Sequence, residues 1–412
     1  MAFQTGLSGL NVAAADLDVI GNNVANAGTV GFKSSRAEFA DVYAASLSGG
    51  GGSQIGLGSR VSDVAQRFTQ GNVTATNNPL DLAINGKGFF RVSDGGSIAY
   101  TRNGQFHLDS AGYIVTGDGS QLTGYAADAG GNIVLSTPVP IQVPSSQLAP
   151  SATTKFLADL NLDSRETAPA TALFNAADPT SFNQSTSGSV YDTLGNAHVF
   201  TLYFVKTAVA GQWAVQGTVD GTPVANVDLG AGAGNPVTLA FNSSGVLTSA
   251  MPVPASLTIA GGAVSPLAFA LDLTGSTQFG SGFGVNALSQ DGFTSGRLAG
   301  FNVSADGVIV GNYTNGQTKS LGQVALSTFA NPQGLVPIGN NRWEASSDSG
   351  LAVTGTPGNG SFGPLQSAAV EESNVDLTAE LVRMITAQRV YQANAQTIKT
   401  QDAMLQTLVN LR

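Results

Sequence analysis

The sequence predicts a mainly β protein with α-helical termini, in which terminal coiled-coil helices flank a discontinuous β domain and an inserted outer β domain. Two observations lead to this fold class. Apolar residues at both ends of the chain recur at alternating spacings of four and three, and the long stretch between them follows a period of two. The first period is that of a coiled-coil seam and the second is that of strands. Two seams at opposite termini indicate packing that depends on partners, and therefore self-assembly rather than catalysis.

The N-terminal pattern predicts a helix over residues 2–27 that ends near Gly28, because glycine readily adopts the left-handed cap conformation. Asn22 and Asn26 lie one helical turn apart, so their amides are placed to bond a neighbouring helix and fix its register. Capping of the helix end is the alternative role for these residues. The apolar seam of this helix consists of Phe3, Leu7, Leu10, Ala14, Leu17 and Val24.

The C-terminal pattern predicts a second helix from Asn374 to Arg412, about 55–60 Å long at 1.5 Å per residue. Ser373 offers a capping oxygen, and Asp376 places an acid in the first turn. The face away from the seam is rich in Gln and Asn. It is either an ordinary solvated face or a polar, uncharged surface that does not bind a polypeptide moving along it. The seam consists of Leu377, Leu381, Met384, Tyr391, Ala395, Ile398, Leu405 and Val409.

The region between the helices contains strand-like runs separated by Asn-Gly and Asp-Gly dipeptides, which predict tight hairpins. A proline cluster around residues 138–150 and a glycine cluster at residues 280–284 interrupt it. We interpret the stretch between the two clusters as an insertion into one β domain. The predicted organisation is a terminal helical region over 1–33 and 365–412, a connecting loop region over 34–71, a discontinuous β domain over 72–148 and 284–364, and an inserted outer β domain over 149–283.

Composition excludes several classes of partner. Charged residues make up 11% of the 412 residues and the formal net charge is −10, whereas nucleic acids and anionic membrane surfaces recruit clustered Lys and Arg. No apolar stretch reaches the length of a membrane span. The chain has no cysteine, and its N-terminus lacks the basic region of a secretory signal. We expect a chain that stays in the cytoplasm or leaves by a route that cleaves no signal peptide.

The sequence predicts no catalytic residue, no metal site and no cofactor. His107 alternates with Phe106 and Leu108, so we expect it on the solvent face of a strand, and we expect the same of His198. Two histidines without cysteine disfavour a zinc site. The glycines at residues 280–284 are not followed by a helical pattern, which excludes a dinucleotide loop.

Several segments, taken together and in order, resemble the bacterial flagellar hook proteins, within the wider family of flagellar axial (rod and hook) proteins. The resemblance spans the chain and is weakest at about residues 205–280. One departure is Gly28, where the family more often has asparagine. The matching segments are Leu17–Lys33, Pro79–Ile84, Gly88–Phe90, Tyr100–Gly104, Tyr191–Asn196, Leu321–Leu326, Glu372–Leu377 and Gln388–Asn394.

The resemblance implies a structural subunit that polymerises with itself into a curved tube. In the family this tube is a universal joint that transmits motor torque to the filament. The implied partners are other copies of the chain, the distal rod, hook cap and hook–filament junction proteins, and the flagellar type III export apparatus. The implied location is the extracellular hook of the flagellum, reached without a cleaved signal peptide.

The sequence leaves several interpretations open. Phe39 and Tyr43 are similar to an export signal of early flagellar substrates, although ordinary packing explains them as well. Of Phe89 and Phe90, one could face an interface, or both could be covered within their domain. The alternative functions are a distal rod protein, which is generally shorter and lacks the insertion, a β-rich extracellular adhesin, and a glycosidase with two carboxylates.

Overall fold

The structure is a computed structural model that describes residues 2–42, 56–144 and 146–410. Its two α-helices lie at the ends of this described chain, α1 over Ala2–Ala25 and α2 over Leu377–Asn410, and the region between them consists of strands joined by turns and loops. This confirms the predicted fold class. Neither α1 nor α2 combines the length and the hydropathy that a membrane-spanning helix needs.

The chain divides into two compact units, which are described separately. Unit 1 contains both helices and most of the outer parts of the sequence, and unit 2 contains the middle. Unit 1 comprises Met1–Ser145, Gly300–Asn312 and Thr318–Arg412, and unit 2 comprises Ser146–Ala299 and Tyr313–Gln317.

The first part of unit 1 is built from short strands joined by tight turns. Its first two strands pair antiparallel, from Ser35 opposite Gln66 to Val42 opposite Gly58. The strands are β1 Ser35–Val42, β2 Gly58–Gln66, β3 Val73–Ala75, β4 Leu82–Ile84, β5 Phe89–Asp94, β6 Ser97–Thr101, β7 Phe106–Leu108, β8 Ile114–Thr116, β9 Gln121–Ala126 and β10 Val139–Pro140.

The β1–β2 ribbon corrects the sequence prediction, because residues 34–71 were expected to be a connecting loop region. The strands alternate only weakly in hydropathy: Arg36 and Glu38 are exposed while the small Ala37 between them is buried. Such a pattern is hard to recognise when the buried face is built from alanine. The Gly-rich run at residues 48–53 lies outside the described residues.

Unit 2 packs a four-stranded antiparallel sheet, in the order β12-β13-β14-β16, with a five-stranded sheet, in the order β15-β17-β18-β11-β19. Side chains from both sheets share one core, with Phe156 and Phe200 edge to face at 5.3 Å and the fully buried Trp213 beside them. The strands are β11 Lys155–Asn161, β12 Gln184–Tyr191, β13 Ala197–Lys206, β14 Gln212–Val219, β15 Val227–Asp228, β16 Val237–Ala240, β17 Val253–Leu257, β18 Leu267–Asp272 and β19 Gly284–Gln290, with short 3-10 helices at Pro179–Ser181 and Val224–Asn226.

The last part of the β region returns to unit 1 and completes a 13-stranded sheet, whose main path is β20-β21-β22-β9-β5-β6-β25-β24. Phe89, Tyr100, Phe329, Leu335 and Trp343 form an aromatic-rich core in this unit. The strands are β20 Leu298–Val303, β21 Val308–Tyr313, β22 Thr318–Val324, β23 Leu326–Thr328, β24 Val336–Gly339, β25 Arg342–Glu344, β26 Val353–Gly355, β27 Leu365–Ser367 and β28 Ala369–Glu371, with a short 3-10 helix at Pro332–Gly334.

The second predicted boundary, at residue 284, falls inside unit 2. Strand β19 follows the glycine cluster directly and pairs antiparallel with β11, from Phe156 opposite Gln290 to Asn161 opposite Gly284. The glycine cluster is therefore a connection within unit 2, and residues 284–299 fold with the unit that the sequence predicted to end at residue 283.

The end of α1 and the start of α2 both differ from the prediction. α1 ends at Ala25, and Gly28 does not adopt the positive φ of a left-handed cap; the positive φ of +73° belongs to Gly31. The start of α2 differs as well. The helix was predicted from Asn374 with a capping oxygen from Ser373, but it begins at Leu377. Its cap is Asp376, whose carboxylate accepts hydrogen bonds from the backbone N–H groups of Thr378 at 2.9 Å and Ala379 at 3.1 Å.

His107 is exposed on β7, as predicted, but the prediction for His198 is wrong. His198 is only 9% exposed, because it shares the inward face of β13 with Phe200, Leu202 and Phe204. The buried position of His198 could have been predicted from the alternation, because Phe200, Leu202 and Phe204 follow it at every second position.

The His198 ring lies between two carboxylates. Its Nδ1 is 2.7 Å from Asp220 and its Nε2 is 3.3 Å from Asp192. Because ionised carboxylates only accept hydrogen bonds, both contacts are satisfied when the imidazole is doubly protonated. Burial lowers the pKa of His198, but its hydrogen bonds and attraction to Asp220 and Asp192 outweigh burial and raise that pKa above its ordinary value.

This arrangement predicts a pH-dependent stability of unit 2. The His198 contribution is fully present below the unfolded histidine pKa of about 6.5, and it is lost as the pH rises through the raised pKa of the folded state. Urea unfolding followed by Trp213 fluorescence, in a Trp343→Phe background, should show stability falling over this window. His198→Gln should remove the dependence and the exposed His107→Gln should not; an unchanged slope in His198→Gln would contradict the assignment.

Candidate assembly site at the chain termini

α1 and α2 pack antiparallel within the chain along a line of small residues. A Cβ atom on Gly9 would lie 2.7 Å from the side-chain oxygen of Asn394, and one on Gly6 would lie 3.1 Å from the Cγ1 of Ile398. Asp16 and Arg383 approach to 3.4 Å further along. The two glycines therefore let the helices approach closely near the start of α1.

The packing line on α1 is not the predicted seam. Its buried positions are Gly6, Ala13, Ile20 and Asn23, whose mean direction differs from that of the predicted apolar stripe by roughly 100° at 3.6 residues per turn. On α2 the buried residues are Glu380 and Ala387. Hydropathy located the largest apolar stripe, whereas the buried face of α1 is a different one that combines the small Gly6 and Ala13 with Ile20 and Asn23.

The predicted seam residues are consequently left partly exposed. About half of the surface of Leu7, Leu377, Leu381 and Leu405 is accessible, and Tyr391 is 37% exposed. Nothing is described for the side chain of Val409. The half-buried members are Leu10, Leu17, Met384 and Ile398.

Asn22 and Asn26 bond to each other within the described chain. The side-chain N–H of Asn26 donates to the backbone and side-chain oxygens of Asn22, both at 2.9 Å. The asparagine that reaches another element is Asn23, which is fully buried. Its amide donates to the Ser35 carbonyl at 2.7 Å and accepts from the Ser35 N–H at 2.9 Å, which ties α1 to β1.

A buried charged cluster joins both termini to the β region of unit 1. We call Lys33, Arg102 and Glu371 the junction cluster. Glu371 lies 2.5 Å from the Lys33 ammonium and 2.9 Å from the Arg102 guanidinium, and all three side chains are at most 4% exposed. Burial lowers the pKa of Lys33 and of Arg102, and Glu371 opposes both shifts. The cluster holds two cations and one anion.

Backbone groups add three hydrogen bonds to the junction cluster. Glu371 accepts the Gly71 N–H at 2.9 Å, Lys33 donates to the Thr69 carbonyl at 2.8 Å, and Arg102 donates to the Gly86 carbonyl at 2.8 Å. These contacts bring together five segments that are far apart in the sequence, so the cluster fixes the paths by which both termini leave the β region.

Asn374 adds a second tie next to the cluster. Its side-chain oxygen accepts the Ser34 N–H at 2.7 Å, and its amide N–H donates to the Arg67 carbonyl at 2.8 Å. Gly31 lies so close to the chain at Arg102 and Asn103 that a Cβ atom would sit 2.5 Å from the Asn103 nitrogen. No side chain larger than hydrogen fits there without moving the backbone.

Asn23, Lys33, Arg102 and Glu371 were not predicted to be functional residues, and Asn374 was named only as the start of the second helix. Four of them lie inside the segments quoted for the family resemblance, and Glu371 directly precedes one. A lone charged residue inside an apolar segment was the available signal, since such a residue is rarely buried without a partner. The partner itself could not be identified, because Lys33 and Glu371 are 338 positions apart.

Two pairs of aromatic residues were also named from the sequence. Phe89 and Phe90 are both buried, so they are covered within unit 1. Phe39 is 45% exposed on β1, and its proposed companion Tyr43 lies outside the described residues. Among the described residues, no group of three or more histidine, aspartate and glutamate side chains is arranged to hold a metal ion.

Four family profiles match the chain in consecutive segments. Residues 3–33 match the flagella basal body rod protein family, and residues 83–157 match the flagellar hook protein FlgE/F/G D1 domain. Residues 161–293 match the flagellar basal body protein FlaE D2 domain, and residues 366–411 match the flagellar basal body rod FlgEFG protein C-terminal family. The two terminal matches contain the helices and most of the junction cluster.

Whole-length relatives agree with these profiles. The chain is 44% identical over 416 residues to flagellar hook protein FlgE of Salmonella typhimurium, and both chains are covered completely. It is 32% identical over 452 residues to the Borreliella burgdorferi protein of the same name, covering 100% of this chain and 99% of that one. The Helicobacter pylori flagellar hook protein FlgE2 crystal structure shares the fold at a TM-score of 0.53 and 15% identity, covering 72% of this chain and 100% of that one. The chain belongs to the flagellar hook protein family.

Proposed function

We propose that this chain, a structural subunit of the bacterial flagellar hook, polymerises through the exposed apolar faces of α1 and α2. The observation that carries the proposal is the separation of two helix faces. Small residues pack α1 on α2 within the chain, while Phe3 and Leu7 on α1 and Leu377 and Leu381 on α2 keep about half of their surface exposed. Exposed apolar surface of this kind favours burial against neighbouring copies.

The junction cluster supports a second part of the proposal. Separating a buried cation from its carboxylate is costly, so the cluster holds the ends of the chain rigidly on unit 1. In a curved tube that acts as a universal joint, force applied to the terminal helices would then reach the β region without local unfolding.

Partners beyond the chain itself follow from the family. The hook belongs to the flagellum, and we propose contacts with the distal rod, hook cap and hook–filament junction proteins at its ends. We also propose export by the flagellar type III apparatus without a cleaved signal peptide, which a chain without cysteine suits, since no disulfide can obstruct threading. Phe39 remains a candidate export residue with Tyr43.

Unit 2 is proposed to be an outer module that biases curvature and is not needed to close the tube. Its core and sheets are its own, which supports folding independent of the terminal helices. The two alternative functions fit less well. A distal rod protein generally lacks an insertion such as unit 2, and an extracellular adhesin does not account for the exposed apolar faces of α1 and α2.

Leu381→Asp should abolish tube formation and leave both units folded. A carboxylate at a helix interface forfeits apolar burial and adds an unpaired buried charge, at least several kcal/mol per subunit. Pelleting and electron microscopy measure assembly, and thermal unfolding checks the fold. Leu405→Asp should behave alike, whereas Gln396→Asp on the polar face should assemble. Normal tubes from Leu381→Asp would count against the seam.

Glu371→Gln should destabilise unit 1 by about 3–5 kcal/mol, because it leaves Lys33 and Arg102 buried without a counter-charge. Lys33→Met should lower the free energy of unfolding by only about 1–2 kcal/mol. The charges of Arg102 and Glu371 still balance in this variant, and the Thr69 carbonyl loses its hydrogen-bond donor. Urea unfolding followed by Trp343 fluorescence, in a Trp213→Phe background, compares the two variants. Equal losses would mean that charge balance does not govern the cluster.

Replacing residues 146–299 with a short Gly-Ser linker should give hollow tubes that are straighter than those of the parent. The terminal contacts remain while the proposed curvature-biasing module is removed. Electron microscopy of the polymers measures curvature. A folded deletion protein that forms no polymer would place the assembly contacts in unit 2.

A further inference from the structure

A groove of about 820 Å³ lies in unit 1 between α1, β1 and α2. Its floor is formed by three buried alanines, Ala13, Ala37 and Ala387, one from each element. Phe39, Val382 and Val390 rise around this floor and are each about half exposed. A floor of small side chains with larger apolar walls is shaped to receive a bulky apolar group.

The charges around the groove are balanced. Asp16 and Glu38 supply two carboxylates, and Arg36 and Arg383 supply two guanidinium groups. A charged occupant would meet a like charge as readily as an opposite one, so electrostatic complementarity favours an uncharged segment.

The first half of α1 has this chemistry. Residues 2–15 contain no charged side chain. Phe3 and Leu7, one helical turn apart on the same face, are 48% and 45% exposed. Together they form an aromatic and aliphatic knob, which we call the α1 knob. Aromatic side chains that fill pockets dominate the energetics of many interfaces.

The α1 knob cannot occupy the groove of its own chain. Phe3 and Ala13 are ten positions apart on one straight helix, which is about 15 Å at 1.5 Å per residue. A second copy of the chain can supply the knob. Resting on the proposed assembly through the terminal helices, we propose that the groove of each subunit receives Phe3 and Leu7 of a neighbouring copy.

This contact joins two different surfaces of the same molecule. A knob at one place and its groove at another give a head-to-tail interface, and repetition of such an interface produces a ring when its rotation closes and an open helical polymer when it does not. The knob–groove contact therefore supplies a direction of growth, which a contact between two identical faces would not.

Cysteine cross-linking of the full-length chain tests this contact, because the parent has no cysteine. Gln4→Cys lies beside the knob and Thr386→Cys lines the groove, so neither removes an apolar contact. In polymers of the double variant, oxidation should produce a ladder of disulfide-linked multimers on a non-reducing gel. An intrachain bond is excluded because the two Cα atoms lie more than 7 Å apart along the helix pair.

Gln4→Cys with Gln388→Cys is the matched control. Gln388 is exposed on α2 two positions from Thr386 and points away from the groove, so this pair should give no ladder. Tubes that form normally and yield no ladder through Thr386 would overturn the docking and leave the proposed function intact. A parent chain that forms no tubes would instead contradict the proposed function.

Filling the groove provides a second measurement that does not depend on cysteine. Thr386→Trp should raise the critical concentration for assembly about tenfold or more, because it occupies the space of the knob. Thr397→Trp is its control, since both threonines are exposed on α2 and donate to the carbonyl four residues earlier. Equal effects of the two substitutions would overturn the proposal.

Discussion

The Glu371 carboxylate is the constraint on which the rest of unit 1 depends. It is almost fully buried, and among residues 2–42, 56–144 and 146–410 it is the one carboxylate paired with Lys33 and Arg102. A buried charge without a partner costs several kcal/mol, so the three segments that carry these residues must stay together. The start of the chain, the middle of the β region and the approach to α2 are thereby held at one point.

α1 and α2 each have one face that packs on the other helix and another apolar face that stays exposed. Gly6 and Gly9 let α1 lie close to α2, which stabilises the pair without burying Phe3 or Leu7. Phe3, Leu7 and Leu381 remain available. A helix pair that used its largest residues internally would be more stable alone and would have less surface to bury in a polymer.

The sequence predicted what depends on local pattern. The helices at both ends and the mainly β middle follow from periodicity, although α2 begins at Leu377 rather than at Asn374. The packing face of α1 could not be predicted, because hydropathy is insensitive to a stripe of glycines. The junction cluster could not be predicted either, since its pairing joins residues hundreds of positions apart. His198 was misplaced because a histidine was assumed to face solvent, although its alternation with Phe200 indicated the opposite.

The distribution of charge suits a subunit that is rigid inside and adaptable outside. Only 11% of the chain is charged, and among the described residues the ion pairs with both partners less than 5% exposed are those of the junction cluster. Surface ion pairs contribute little, and uncharged surfaces can slide without breaking one. Strong interactions thus hold the ends of each subunit in place, while the contacts that we propose between neighbouring outer surfaces would shift at low cost. A polymer with these properties bends between subunits before any subunit unfolds.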